Sequence, residues 1–75
     1  MNINIEKKIG NNIRTIRETN KFTQDYVATK LQLKGCDITR SALAKIEVGQ
    51  RHIYPDEIIL LKEILKTSYD EIFKM

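Results

Sequence analysis

Apolar residues recur at intervals of three and four along this chain, and that spacing constrains its fold more than any other feature. One such stripe, near the N-terminus, consists of Ile5, Ile9, Ile13 and Ile16. A stripe of this kind is typical of a helix that packs one face on a core. Asn4 is the predicted N-cap of this first helix. Because no strand pattern appears, the sequence predicts an all-α protein.

Cap and breaker residues divide the remainder of the chain into four further helices. Thr23 and Thr39 are favourable N-caps for a second and a third helix, and Gly49 is placed to end the third. Pro55 fits the first position of a fourth helix, and Ser68 opens a capping box for a short fifth one. The expected architecture is a compact five-helix bundle.

Length and composition limit what this bundle can be. The chain has 75 residues, 41% of them hydrophobic, which is enough for one domain spanning residues 1–75 with a small core. A single cysteine, Cys36, and a single histidine, His52, exclude an internal disulfide and a Cys/His zinc site. The longest aliphatic run, residues 58–61, is far too short to span a membrane. We expect a cytoplasmic protein without a metal or another cofactor.

The third predicted helix has two unlike faces. Its core-facing arc carries Ala42, Leu43, Ile46 and Glu47, and its other arc carries Arg40, Ser41, Ala44 and Lys45. Small and cationic side chains allow close approach to an anionic groove, and the DNA major groove admits one helix. The net charge of +3 is compatible with a nucleic-acid partner. The pattern therefore predicts a DNA-reading face.

The order of these elements resembles that of a known family. The matching pieces are residues 13–18 (IRTIRE), 23–28 (TQDYVA), 39–49, 55–65 and 68–73. They are similar to the Xre/Cro-like family of phage-repressor-type helix-turn-helix regulators, with the likeness extending over about residues 9–73. The resemblance implies a lambda-repressor-like fold with its motif at about residues 23–49. It also implies sequence-specific binding of double-stranded DNA, as a transcriptional repressor or regulator.

The resemblance also assigns roles to individual residues. Gln24, at the start of the second helix, would touch a phosphate. The positions that would read the major groove or lie beside it are Thr39, Arg40, Ser41, Ala44 and Lys45. Gln50 and Arg51 would contact the DNA backbone after the third helix. Arg17 and Glu47 would form a structural ion pair that holds the recognition helix in place.

One departure from the family pattern lies between the second and third helices. The common form has a tight turn there, whereas this chain is expected to have an extended loop over residues 32–37. A longer loop costs little closure entropy, so the fold is expected to survive. Lys34 and Lys30 would lie near the DNA backbone and add nonspecific affinity.

The oligomeric state and the function leave alternatives open. A domain of this size is expected to bind a palindrome as a homodimer, through the fourth and fifth helices with Ile59 and residues 69–75. The alternative function is a protein-interaction module, or an antitoxin-type protein that binds a partner and has weak or secondary DNA binding. A regulatory protein partner fits either reading. Catalysis is not expected, because no nucleophile with a base and no paired carboxylates are evident.

Overall fold

A core of aliphatic side chains holds the helices of this protein together. In the computed structural model, which describes residues 2–75, the elements are α1 (Ile3–Thr19), α2 (Gln24–Leu33), α3 (Arg40–Glu47), α4 (Pro55–Leu65) and α5 (Tyr69–Ile72). The described residues contain no strand. The buried hydrophobic residues are Ile9, Ile13, Val27, Ala28, Leu31, Ile38, Leu43, Ile46, Ile53, Leu61, Ile64, Leu65 and Ile72. The predicted all-α class and five-helix arrangement are confirmed.

Three of the predicted N-caps close helix starts. The side chains of Thr23, Thr39 and Ser68 each accept a hydrogen bond from the backbone N–H three residues further on. Such a bond satisfies one of the donors that a helix start leaves without a partner. At α4 the ring of Pro55 occupies the first turn, and Glu57 accepts from the backbone N–H of Tyr54.

The start of the first helix differs from the prediction, and apolar side chains are exposed at both ends of the chain. Helix α1 begins at Ile3 and is capped by Asn2, whose side chain accepts from the backbone N–H of Ile5, so the predicted cap at Asn4 is wrong. Starting the helix earlier places Ile5 beyond the core, and it is 47% exposed. Phe73 is likewise 42% exposed, whereas its neighbour Ile72 is fully buried.

Four of the five helices end through a residue in the left-handed conformation. These residues are Lys21, Gly35, Gly49 and Lys66, with φ between 54° and 83°. At each one, the next residue's N–H returns to a carbonyl five positions earlier, which completes a Schellman motif. The predicted stop at Gly49 has this geometry, and it sets the direction in which the chain leaves α3.

The connection between α2 and α3 is longer than a tight turn, but its position differs from the prediction. Helix α2 continues through Gln32 and Leu33, so the connecting segment is residues 34–39 rather than 32–37. Ile38 lies in the core with 1% exposure, and its carbonyl accepts from the side chain of Gln32 at 3.3 Å. These contacts hold the end of the segment beside the start of α3.

Helix α3 packs between α1 and α2, while α4 packs on α2 and α5 packs on α1. This order leaves one long side of α3 facing outward. Among residues 2–75, no helix is long and apolar enough to cross a membrane.

Candidate nucleic-acid interface

The outward side of α3 carries the residues that the sequence predicted to read DNA. Arg40, Ser41 and Lys45 are exposed, and Ala44 is partly exposed between them. On the opposite side, Leu43, Ile46 and Glu47 are buried. Thr39 is exposed at the start of the helix and uses its hydroxyl to cap the backbone N–H of Ala42. The structure therefore brings all five predicted reading positions to one surface.

The arginine and the lysine of this surface are held only weakly by other side chains. Arg40 lies 3.9 Å from Asp25, with both side chains more than 60% exposed. Lys45 makes no ion pair within residues 2–75. An exposed pair contributes little free energy and is screened by salt. Both cations are thus available to an external anion.

A buried ion pair fixes α3 to α1. Arg17 donates to both carboxylate oxygens of Glu47, at 2.7 and 3.1 Å, and to the carbonyl of Phe22 at 2.8 Å. The side chains are 10% and 1% exposed. The hydrogen bond that Arg17 donates to Glu47 raises the pKa of Arg17 above its ordinary value, against the opposing effect of burial, so the guanidinium stays charged. The structure thus brings together the predicted pair.

Gln24 belongs to the same network, which the sequence did not reveal. Its amide nitrogen donates to Oε1 of Glu47 at 3.0 Å. The start of α2 is therefore tied to the last residue of α3 through a carboxylate that also binds Arg17. The amide nitrogen still carries a second N–H. A phosphate contact by Gln24 stays a prediction, and its structural role is an addition to it.

Gly10 allows α1 to approach the end of α3 closely. A Cβ added at Gly10 would lie 2.0 Å from the backbone oxygen of Ile46, far inside van der Waals contact. Considered within its own helix, a glycine at this position only weakens α1. Its actual role depends on a neighbour 36 positions away, which no local pattern reveals.

Gln50 and Arg51, the predicted backbone-contacting residues, differ in their surroundings. Gln50 is exposed, whereas Arg51 donates to the two carboxylate oxygens of Glu57 at 2.9 and 3.0 Å. Burial acts to raise the pKa of Glu57, but the hydrogen bonds from Arg51 and the Tyr54 N–H together lower it below its ordinary value. Arg51 is thus largely engaged in holding the segment before α4. Nearby, His52 pairs with Glu6 of α1.

A groove lies between α1, the start of α2 and α3. It has a volume of about 470 Å³, and its lining includes Arg14, Gln24, Arg40 and Ala44. Arg14 was not among the predicted site residues. A signal was present, because Arg14 precedes Arg17 by three positions and so lies on a neighbouring part of the same helix surface.

Few side chains within residues 2–75 are arranged for metal or nucleophilic chemistry. No group of three or more His, Cys, Asp or Glu residues in that part of the chain is placed to hold a metal ion. Cys36 is partly buried in the segment between α2 and α3, and burial raises the pKa of its thiol. A raised pKa leaves the less reactive thiol form dominant at neutral pH.

Among known proteins, the agreement with this geometry comes from a family model and not from individual relatives. Neither the curated proteins nor the solved structures contain a significant match. The helix-turn-helix family model, by contrast, matches residues 13–72, which is 60 of the 75 residues and includes the whole of α2, α3 and α4. With α3 turned outward beside the start of α2, the chain belongs to the family of Xre/Cro/lambda-repressor-like helix-turn-helix DNA-binding regulators.

Proposed function

We propose that this protein is a sequence-specific transcriptional repressor that inserts α3 into the major groove of double-stranded DNA. One observation carries the proposal. The outward side of α3 combines two cations with small side chains, and the other described residues leave that side uncovered. A helix with this surface fits a groove about 12 Å wide whose base edges offer hydrogen-bond acceptors. Repression follows if the site overlaps a promoter.

In this proposal, specificity comes from a few side chains of α3. Arg40, in the first turn, donates two hydrogen bonds to a guanine, and Lys45, one turn later, reaches a guanine or a phosphate. Ala44 lies between them and offers a methyl group to a thymine. Thr39 and Ser41 supply hydroxyl contacts at the edge of the same surface.

Backbone contacts would set the register of α3. The second N–H of the Gln24 amide donates to a phosphate while the first remains on Glu47. Gln50 and the exposed part of Arg51 contact the strand beside the end of α3. These contacts contribute affinity without distinguishing sequences.

The protein would act in the cytoplasm as a homodimer on a palindromic operator. One recognition helix covers only a few base pairs, so two copies are needed for a unique site. The partner surface that we assign to the second copy is formed by α4 and the C-terminal residues. Apolar side chains are exposed there at Ile59, Tyr69, Phe73 and Met75.

The test is fluorescence anisotropy with the duplex upstream of the protein's own gene and a scrambled duplex of equal length. The wild type should prefer its own duplex by about a hundredfold or more. Arg40→Ala should reduce that ratio by about 5- to 150-fold, because the loss of one bidentate base contact costs about 1–3 kcal/mol of discrimination. Lys8→Ala is the matched control, since Lys8 lies on the side of α1 that faces α5.

Equal and weak binding to both duplexes, unchanged by Arg40→Ala and Lys45→Ala, would contradict the proposal. That result would favour the alternative function, in which the same surface binds a regulatory protein or a toxin. A pull-down with the wild type against Arg40→Ala would then identify whether α3 forms that contact.

A further inference from the structure

The groove between α1 and α3 has more positive charge on its rim than the structure of the protein requires. Arg14 stands on its α1 side and Arg40 on its α3 side. Arg17 also lines the groove, but its guanidinium is already hydrogen-bonded to Glu47 and to the Phe22 carbonyl. Two arginines therefore remain whose charge is not needed to hold the fold.

The carboxylates near these two arginines would compete only weakly with an external anion for the guanidinium groups. Arg14 Nε lies 3.4 Å from Glu18 one turn along α1, and both side chains are more than half exposed. Arg40 lies 3.9 Å from Asp25, which is also exposed. Pairs of this kind contribute at most about 1 kcal/mol in water, so an anion with better geometry can replace them.

The remaining walls of the groove suit a phosphodiester. Gln24 presents a neutral amide, and its N–H not bonded to Glu47 is available to an anionic oxygen. Val48 adds small apolar surface where a deoxyribose would lie against the protein. Glu47 also lines the groove, but its two oxygens accept from Arg17 and Gln24 and its side chain is 1% exposed. Its charge is thus compensated by Arg17.

We propose that Arg14 is a further DNA-binding residue, which holds a backbone phosphate in the groove between α1 and α3 while α3 lies in the major groove. The inference rests on the proposed DNA-binding function and adds a residue of α1 to it. Because a guanidinium forms two parallel hydrogen bonds to a phosphate, one arginine can fix the position of α1 on the strand. Arg14 then fixes the angle at which α3 enters the groove, since Gly10 and the Arg17–Glu47 pair join the two helices rigidly.

A phosphate contact has a different signature from a base contact. Loss of Arg14 should weaken binding to the specific and the scrambled duplex by the same factor, roughly tenfold, and lower the slope of log affinity against log salt by about 1. Glu18→Gln should act in the opposite direction, because it removes the carboxylate that competes with the phosphate for Arg14. The same Glu18→Gln change made in the Arg14→Ala variant controls for the change in net charge, because no Arg14 side chain is left there for the carboxylate to bind.

The experiment combines these variants in one anisotropy series over salt. Both duplexes are titrated after thermal unfolding has shown that each variant is folded; the proteins are the wild type, Arg14→Ala, Arg14→Gln, Arg40→Ala, Lys8→Ala, Glu18→Gln and Arg14→Ala/Glu18→Gln. The same series uses duplexes in which single phosphates are replaced by neutral methylphosphonates. At one position, the replacement should weaken the wild type but leave Arg14→Ala unchanged, which identifies the phosphate that Arg14 holds.

The outcomes separate this inference from the proposed function. If Arg14→Ala matches Lys8→Ala while Arg40→Ala still loses sequence preference, the Arg14 contact is refuted and the proposed function stands. If Arg14→Ala changes the preference between the two duplexes, Arg14 reads a base and the phosphate assignment is overturned. If no variant changes binding, the proposed function itself fails.

Discussion

At the scale of single residues, Glu47 is a buried carboxylate whose charge is compensated inside the protein. Its carboxylate is buried and accepts from Arg17 and Gln24, so one side chain joins α1, α2 and α3. Among the described residues, every buried side-chain nitrogen and oxygen has a hydrogen-bond partner, which shows that this polar network is complete. A complete buried network favours one arrangement of the helices, because any displacement leaves a charge without a partner.

Glu47→Ala should destabilise the protein by about 3–5 kcal/mol, because it leaves the Arg17 guanidinium buried without its counter-ion. The double variant Arg17→Met/Glu47→Leu should lose less than Glu47→Ala alone, since it removes both charges and fills their volume. Urea unfolding followed by circular dichroism measures both. As a control, Arg14→Ala/Glu18→Ala removes an exposed pair and should cost less than about 1 kcal/mol. A double variant as unstable as Glu47→Ala would contradict this account.

Glu57 makes the stability of the protein depend on pH. Its pKa is lower in the folded protein than the ordinary value of 4.5, because the hydrogen bonds from Arg51 and the Tyr54 N–H outweigh the effect of burial. The unfolded chain therefore binds the proton more tightly, so the stabilisation is present above about pH 4.5 and is lost as the pH falls below it. The difference in free energy of unfolding between wild type and Glu57→Gln should shrink from pH 6 to pH 3 in urea titrations, on the linkage argument. A constant difference over that range would show that Glu57 is not coupled to folding in this way.

At the scale of helices, the sequence predicted where the helices begin and end better than it predicted the contacts between them. Thr23, Thr39, Ser68 and Gly49 act within a few residues of their own positions, so local pattern was sufficient to place them. The cap at Asn4 failed because Asn2 offers the same side chain two residues earlier, and local pattern cannot rank the two.

Contacts between helices were harder to predict because they depend on distant neighbours. The outward face of α3 and the Arg17–Glu47 pair were anticipated, the first from helical period and the second from the family likeness. Three other features were not anticipated: the Gln24–Glu47 contact, the Arg51–Glu57 contact and the position of Arg14 beside α3. Each of these needs the relative position of two elements, which period and capping do not supply.

The packing of α1 on α3 gives a prediction for Gly10. Alanine favours a helix interior over glycine by about 1 kcal/mol, so Gly10→Ala would stabilise an isolated α1. In the folded protein, the added Cβ meets the Ile46 carbonyl, and the two helices must move apart. We expect a net destabilisation of about 1–3 kcal/mol, typical of an overpacked core, measured by thermal unfolding. Asn11→Ala, at the next and exposed position, should be neutral or slightly stabilising. A Gly10→Ala protein as stable as the wild type would contradict the close approach.

At the scale of the whole molecule, the two proposed surfaces lie on different elements. The DNA-binding surface is formed by α3, the start of α2 and Arg14, whereas the surface assigned to the second copy is formed by α4 and the C-terminal residues. This separation lets one surface bind while the other pairs, so dimer contacts and DNA contacts can support each other. Binding to DNA would then be cooperative, because each copy raises the effective concentration of the other.

The proposed dimer makes a prediction about the spacing of DNA half-sites. The molecule measures 29 × 20 × 19 Å, so two copies fit side by side on adjacent major grooves, which lie about 34–36 Å apart. Inserting about five base pairs between the half-sites would turn them to opposite faces of the duplex and separate the two copies. Affinity should then fall to that of a duplex with a single half-site, measured by anisotropy and by footprinting of each half-site. Ile59→Asp should lower the affinity for the native spacing to the same level, and leave the single half-site unchanged, because Ile59 is exposed on α4. Equal affinity at both spacings would mean that the copies bind independently.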